Sequence, residues 1–226
     1  MTYVCSDLHG NYDRYMDFLD SVNFSNEDTL YIIGDVLDRG ENAVELLRDI
    51  MQRKNVILLK GNHELMLIPI LDELSYTTDK FEQITIIEGE CAISQIGQEE
   101  TLKNFLGVKR KEQLEMVNFL KDLPLYKQIT VQNQKYLLVH AGLPDFSNMD
   151  LDFYSEEELL FGVHDYSEKH FDETITIVGH LPTRFISGAE PDQIYREGDS
   201  INVDCGAGFG GQLGVLCLET NEEFYF

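Results

Sequence analysis

The sequence predicts an α/β fold of two facing β-sheets flanked by helices, with a polar site gathered at the C-terminal ends of the strands. Three observations lead there. Short apolar, β-branched runs alternate with helical patterns in the first third of the chain. After a helical stretch, the second half returns to short strands. Five runs end abruptly at residues able to bind metal, the signature of buried strands delivering side chains to one edge of a sheet.

In order, the pattern predicts a strand over 2–5, a helix over about 11–21 and a strand over 30–33. A helix over about 41–53, a strand over 56–59 and a helix from about 63 follow. This alternation implies parallel strands joined by right-handed crossovers. Residues 65–130 change character: Leu102, Phe105 and Leu106, then Leu114, Val117, Phe119 and Leu120, approximate a helical stripe. They predict a mainly helical insertion beside the sheet, within one domain spanning 1–226. Strands are then expected at 129–131, 136–139, 175–178, 200–204, 213–218 and 222–226, with loop and short helix between His140 and Ile175. That count fits two facing sheets better than one open sheet.

Composition sets the outer bounds. A 43% hydrophobic content over 226 residues supports a sizeable core, and no apolar run approaches the length of a membrane span. The N-terminal segment lacks a basic region followed by a long apolar stretch, so a cytoplasmic protein without a signal peptide is expected. Cys5, Cys91, Cys205 and Cys217 lie far apart and predict reduced thiols. A formal charge of −24 disfavours partners held through a nucleic-acid backbone. It does not disfavour a phosphorylated substrate, because bound cations invert the sign of an acidic cleft.

The strand ends carry Asp7 and His9, Asp35, Asn62, His140 and His180. Carboxylate, imidazole and amide together suit manganese, iron, zinc, cobalt or nickel better than the all-oxygen shells of calcium or magnesium. Six such residues are enough for two ions about 3.5–4 Å apart, with Asp35, central in order, as the bridge. A water shared by two cations loses its proton near neutral pH and attacks phosphorus without a covalent intermediate. His63 follows Asn62 and is expected at the rim, pointing differently from a ligand. With Asp38 holding one ring nitrogen, it can protonate a departing alkoxide. Arg39 offers a fork of donors for phosphate oxygens.

Ser6-Asp7-Leu8-His9-Gly10, Gly34-Asp35-Val36-Leu37-Asp38-Arg39-Gly40, Gly61-Asn62-His63-Glu64, His140-Ala141-Gly142 and Gly179-His180 resemble the signature blocks of the phosphoprotein phosphatase (PPP) family of calcineurin-like metallophosphoesterases. The bacterial and phage-type serine/threonine protein phosphatases are the nearest type. The resemblance implies an α/β fold, α+β in some schemes: a four-layer β-sandwich with helices outside and a dinuclear centre. It assigns Asp7, His9 and Asp35 to a first metal and Asp35, Asn62, His140 and His180 to a second. His63 and Asp38 become the acid pair, and Arg39 and Asn62 the phosphate contacts. Two departures stand out. Ser6 replaces the usual glycine, and Leu159-Leu160-Phe161-Gly162-Val163-His164 lacks the Trp-x-Arg that supplies many relatives with a second phosphate-binding arginine. His164 and Arg184 are the residues available to replace it.

Other features have plainer readings. His164 and His170 are expected to be structural, and Glu64 to cap or position its loop. The Gly206-Ala207-Gly208-Phe209-Gly210-Gly211 stretch matches a dinucleotide fingerprint in form. However, a strand rather than a helix follows it, so a glycine-rich hairpin connection is expected. The leading expectation is therefore a serine/threonine protein phosphatase with two divalent ions, manganese first, acting on phosphorylated proteins or small phosphoesters. A symmetrical dinucleoside polyphosphate (diadenosine tetraphosphate) hydrolase is the first alternative, with Phe161, Tyr154 or Tyr166 as a base platform. A weakly catalytic scaffold that binds phosphoproteins is the second.

Overall fold

The computed structural model describes residues 1–94, 97–144, 151–168 and 170–226, with the side chains of 93, 94 and 152 left aside. The first sheet contains β1 (Thr2–Cys5), β2 (Thr29–Ile32), β3 (Val56–Leu58), β9 (Gly214–Cys217) and β10 (Glu223–Tyr225), in the order β10-β9-β1-β2-β3. β1, β2 and β3 run parallel, as the strand–helix alternation requires, with α1 (Tyr12–Ser21) and α2 (Ala43–Gln52) as crossovers. The second sheet contains β4 (Tyr126–Val131), β5 (Gln134–Val139), β6 (Thr174–Val178), β7 (Tyr195–Glu197) and β8 (Ser200–Asn202), in the order β4-β5-β6-β8-β7. β5, β6 and β8 are parallel to one another, so their C-terminal ends share one edge.

Side-chain alternation along the strands builds three packed layers of contact. Tyr3 and Cys5 face a core shared with the helices, whereas Val4 between them joins Ile33, Leu59, Leu138, Ile177 and Leu216 between the sheets. On the outer side of the second sheet, Leu137, Val139 and Val178 pack against Leu151 and Leu159, the latter in α7 (Glu156–Phe161). The insertion is helical: α3 (Asn62–Tyr76), α4 (Lys80–Ser94), α5 (Glu99–Leu106) and α6 (Arg110–Lys121). Leu102, Phe105, Met116, Val117 and Leu120 from this insertion enter the helix-side core.

Two expectations change. β7 went unpredicted because Tyr-Arg-Glu has no apolar alternation, and it pairs only at the sheet edge with β8. The glycine-rich stretch is not a hairpin. It carries the chain from β8 in the second sheet to β9 in the first, through a turn opened and closed by Gly206 and Gly210 in left-handed conformation.

Candidate metal centre

The six sequence-predicted ligands, His63, Asp38 and Arg39 come together where the C-terminal ends of β1, β2, β3, β5 and β6 meet. Backbone bonds set the meeting: Asp7 N–H donates to Gly34 O at 3.1 Å, His9 N–H to Asp35 O at 2.9 Å, and Gly179 N–H to His140 O at 2.8 Å. The two sheets are joined across the site by His180 N–H, which donates to Asp7 Oδ2 at 2.9 Å.

Many of these residues share a conformation that the sequence does not announce. Asp7 (φ 53°), His9 (43°), Asp35 (57°), Asp38 (68°), Arg39 (64°) and His180 (68°) all lie in the left-handed region. Each such residue costs about 1–3 kcal/mol and persists only when its surroundings over-determine it. Here the turn re-aims the last side chain of each strand into the centre. Part of the restraint comes from Glu64, which caps α3 and sits behind the loop. Its Oε2 accepts from Asp35 N–H and Gly61 N–H at 2.8 and 2.9 Å, and its Oε1 from Val36 and Leu37 N–H at 3.0 and 3.2 Å.

The lone pairs in the site converge. His140 Nδ1 lies 2.8 Å from Ile33 O, which fixes the proton there and leaves an unshared pair on Nε2. That Nε2 faces Asn62 Oδ1 at 2.8 Å and Asp35 Oδ2 at 3.5 Å. His180 Nδ1 meets the same Asn62 oxygen at 3.0 Å. On the other side, His9 Nδ1 is fixed by Leu37 O at 2.8 Å, and its Nε2 lies 3.8 Å from Asp7 Oδ1 and 3.7 Å from Asp35 Oδ2. Asp35 is thus central in space as well as in sequence. Two sets of ligand atoms, from His9, Asp35 and His63 and from Asp35, His140 and His180, each fall within 4.8 Å of one another.

Electrostatics agree with a cation-holding set. Burial, reinforced by Arg39 and His63, pushes His9 down to about 3, and burial with the neighbouring His140 pushes His180 down to about 4, so both imidazoles are neutral and ligand-ready. Burial alone would raise Asp7, yet His140, His9 and the bonds from the Ser6 hydroxyl and the His180 N–H hold it below its ordinary value. Asp35 is driven well above its ordinary value by burial and by the charges of Asp7 and Glu64. A buried cluster of unshared pairs and crowded carboxylates fits divalent cations, which would neutralise it.

His63 turns Nδ1 to Asp38 Oδ2 at 2.7 Å and Nε2 toward Asp35 Oδ2 at 3.9 Å. It therefore faces the centre rather than pointing away from it, because the bond to Asp38 orients the whole ring. Arg39 spans the mouth, with Nη1 at 2.9 Å from His9 Nε2 and Nη2 at 3.1 Å from His63 Nε2, and its guanidinium stacks 4.0 Å from the Phe209 ring centre. Gly208 is required beside it, since a Cβ there would lie 2.3 Å from His9 Cδ2.

The residues expected to replace the missing arginine are otherwise engaged. His164 is buried, bonds Ser200 Oγ at 2.8 Å and stacks on His170 with ring centres 4.5 Å apart. Arg184 is held by Asp192 through two contacts of 2.7 Å. Asp204 escaped sequence reasoning: it is buried, Oδ1 accepts Gly206 N–H at 2.9 Å, and Oδ2 has no hydrogen-bond partner among the described residues. Burial and the charge of Asp7 raise it well above its ordinary value. The signal that picks out the candidate ligands, an apolar run closing on a polar residue beside glycine, is present at Val203-Asp204-Cys205-Gly206.

Known proteins resemble this chain. A symmetrical bis(5'-nucleosyl)-tetraphosphatase of Glaesserella parasuis is 32% identical over 146 residues, covering 63% of this chain and 44% of that protein. Its counterpart in Haemophilus ducreyi is 29% identical over 173 residues, covering 74% and 55%. The chain spans about half the length of the curated relatives it matches. Among solved structures, a protein provisionally named a diadenosine tetraphosphatase superposes with a TM-score of 0.68 at 16% identity, covering 100% of this chain and 92% of that one, a likeness of fold. The family model described as calcineurin-like phosphoesterase matches residues 2–206. With nearly the whole chain inside that match, the protein belongs to the calcineurin-like phosphoesterase family.

Proposed function

We propose that the chain hydrolyses symmetrical dinucleoside polyphosphates such as diadenosine tetraphosphate, cleaving the central P–O–P linkage to release two nucleoside diphosphates. The similarity to symmetrical tetraphosphatases carries this reading over the serine/threonine protein phosphatase expected from the motifs. The rim supports it. Phe161 is 41% exposed with its ring centre 6.5 Å from that of His180, and Phe209 is 47% exposed beneath Arg39. An aromatic surface thus borders the ligands on each side, and bases stack on such surfaces.

In this reading Asp7, His9 and Asp35 hold one divalent ion, and Asp35, Asn62, His140 and His180 the other, with manganese the first choice for the donor set. Divalent ions held there would supply charge neutralisation for phosphoryl oxygens and would lower the pKa of a water toward neutrality. Arg39, forked across the mouth, and the Asn62 amide orient the phosphate. His63, held by Asp38, gives its Nε2 proton to the leaving oxygen. The acid pair suits an alkoxide leaving group best, which keeps protein phosphoserine as the second reading and argues against a non-catalytic scaffold.

The test is manganese-reconstituted hydrolysis of diadenosine tetraphosphate beside phosphoserine and phosphotyrosine peptides, with Asp35→Asn as the blank. Turnover of the dinucleotide well above the peptides is expected. Preference for phosphoserine peptide would replace this reading with the second one.

A further inference from the structure

The stretch 97–104 of the helical insertion contributes no predicted ligand, yet it grips the loop that carries Asp38 of the acid pair and the phosphate fork. Asp38 N–H donates to Thr101 Oγ1 at 3.1 Å, and Arg39 N–H donates to Gly97 O at 2.8 Å. Two residues further on, Glu41 O accepts from Asn104 Nδ2 at 2.7 Å. The approach is close: a Cβ at Gly97 would lie 3.2 Å from Arg39 Cα. Thr101 is 1% exposed, in the first turn of α5, and Asp38 is fully buried.

Consecutive non-glycine residues in left-handed conformation, Asp38 and Arg39, do not hold that shape unaided. Their amide hydrogens are the handles by which a neighbour can hold it. Both handles are taken by the segment 97–101, and releasing them would let the Asp38 carboxylate leave His63 Nδ1.

We propose that the insertion is a positioning element for proton donation, in which Thr101, with Gly97 and Asn104 beside it, fixes the Asp38–Arg39 turn so that Asp38 aligns His63. The proposal rests on His63 acting as the proton donor, and goes beyond it by assigning the insertion a part in the reaction. Thr101 touches no reacting atom and acts only through Asp38.

The experiment uses the full chain with manganese and two phosphomonoesters, one with an alkyl and one with a p-nitrophenyl leaving group. An alkoxide needs a proton to depart and p-nitrophenolate does not, so loss of proton donation falls on the first ester alone. Thr101→Val, which keeps the shape and removes the acceptor, is expected to lower kcat on the alkyl ester about tenfold, with KM, metal content and the p-nitrophenyl rate within about twofold. Thr101→Ser restores the acceptor and the rate. Asn104→Ala, at an exposed position that does not threaten folding, shifts the ratio of the two rates in the same direction by a smaller factor. His63→Asn run in parallel separates the two ideas. If it discriminates between the esters while Thr101→Val and Asn104→Ala do not, or lower both rates equally, the positioning role is overturned. If His63→Asn itself shows no discrimination, the proton-donor assignment falls and the positioning role with it.

Discussion

Glu64 stands directly behind Asp35: its Oε2 accepts the Asp35 N–H at 2.8 Å, while the Asp35 carboxylate in turn accepts His63 N–H at 3.0 Å. A fully buried carboxylate behind the loop therefore sets the backbone of the residue at the middle of the candidate ligands. Glutamine at this position keeps one acceptor oxygen and loses the other. Glu64→Gln is expected to leave two of the four amide hydrogens without a partner and to lower stability by about 2–4 kcal/mol. Urea denaturation of the metal-free protein measures it; a change under about 0.5 kcal/mol would mean that the loop holds itself.

Asp35 belongs to both sets of candidate ligand atoms, 3.7 Å from His9 Nε2 and 3.5 Å from His140 Nε2. Asp35→Asn should reduce bound manganese from two ions to at most one and diminish the metal-dependent rise in melting temperature. Elemental analysis after desalting decides the matter, and two retained ions would remove Asp35 as the bridge.

His63 is expected to matter in proportion to the leaving group. His63→Asn should lower kcat by about 10²–10³-fold on alkyl phosphates. The loss on diadenosine tetraphosphate should be smaller, because a nucleoside diphosphate departs as a stable anion. Steady-state rates on both substrates test this; equal losses would point to a role in orienting phosphate through Arg39 Nη2, 3.1 Å away.

The platforms make a binding prediction. Phe161→Ala should raise KM for the dinucleotide about tenfold, the value of about 1–3 kcal/mol for stacking one base, with little effect on a small phosphomonoester. Unchanged KM would place the base elsewhere.

Stability should fall in acid. Burial, aided by the nearby His170 and opposed by Asp199 and Asp165, lowers His164 to about 4, below its ordinary value of 6.5. Between those values the unfolded chain binds a proton that the folded one refuses. Folding is therefore favoured fully above pH 6.5 and loses ground as pH drops toward 4, by roughly 2–3 kcal/mol from this group. Comparing His164→Gln with the parent by denaturation at pH 7 and 4.5 should show a flatter pH dependence in the variant. Parallel curves would dismiss the histidine as the cause.

Much of the centre was legible in the sequence because a buried strand has one informative place, its end. A run such as Val56–Leu59 must stop where the chain leaves the sheet, and the polar residue just after it has little freedom to be elsewhere. Parallel order followed from the helices between the first strands, and the candidate ligands, which the fold brings together, from residue chemistry at five such ends. The same rule would have found Asp204.

Tertiary structure alone decided the rest. The left-handed turns at Asp7, His9, Asp35 and His180 leave no mark in composition, since they are imposed by bonds from Gly34, Glu64 and neighbouring strands. The inter-sheet path of the glycine-rich stretch depends on which sheet receives β9, a choice made by pairing with β1. Thr101 is the clearest case: a threonine inside a helical pattern, 63 residues from Asp38, becomes its amide partner only when the insertion packs. Sequence fixes chemistry at the ends of elements by local rules, whereas a contact between distant elements is set by the packing of everything between them.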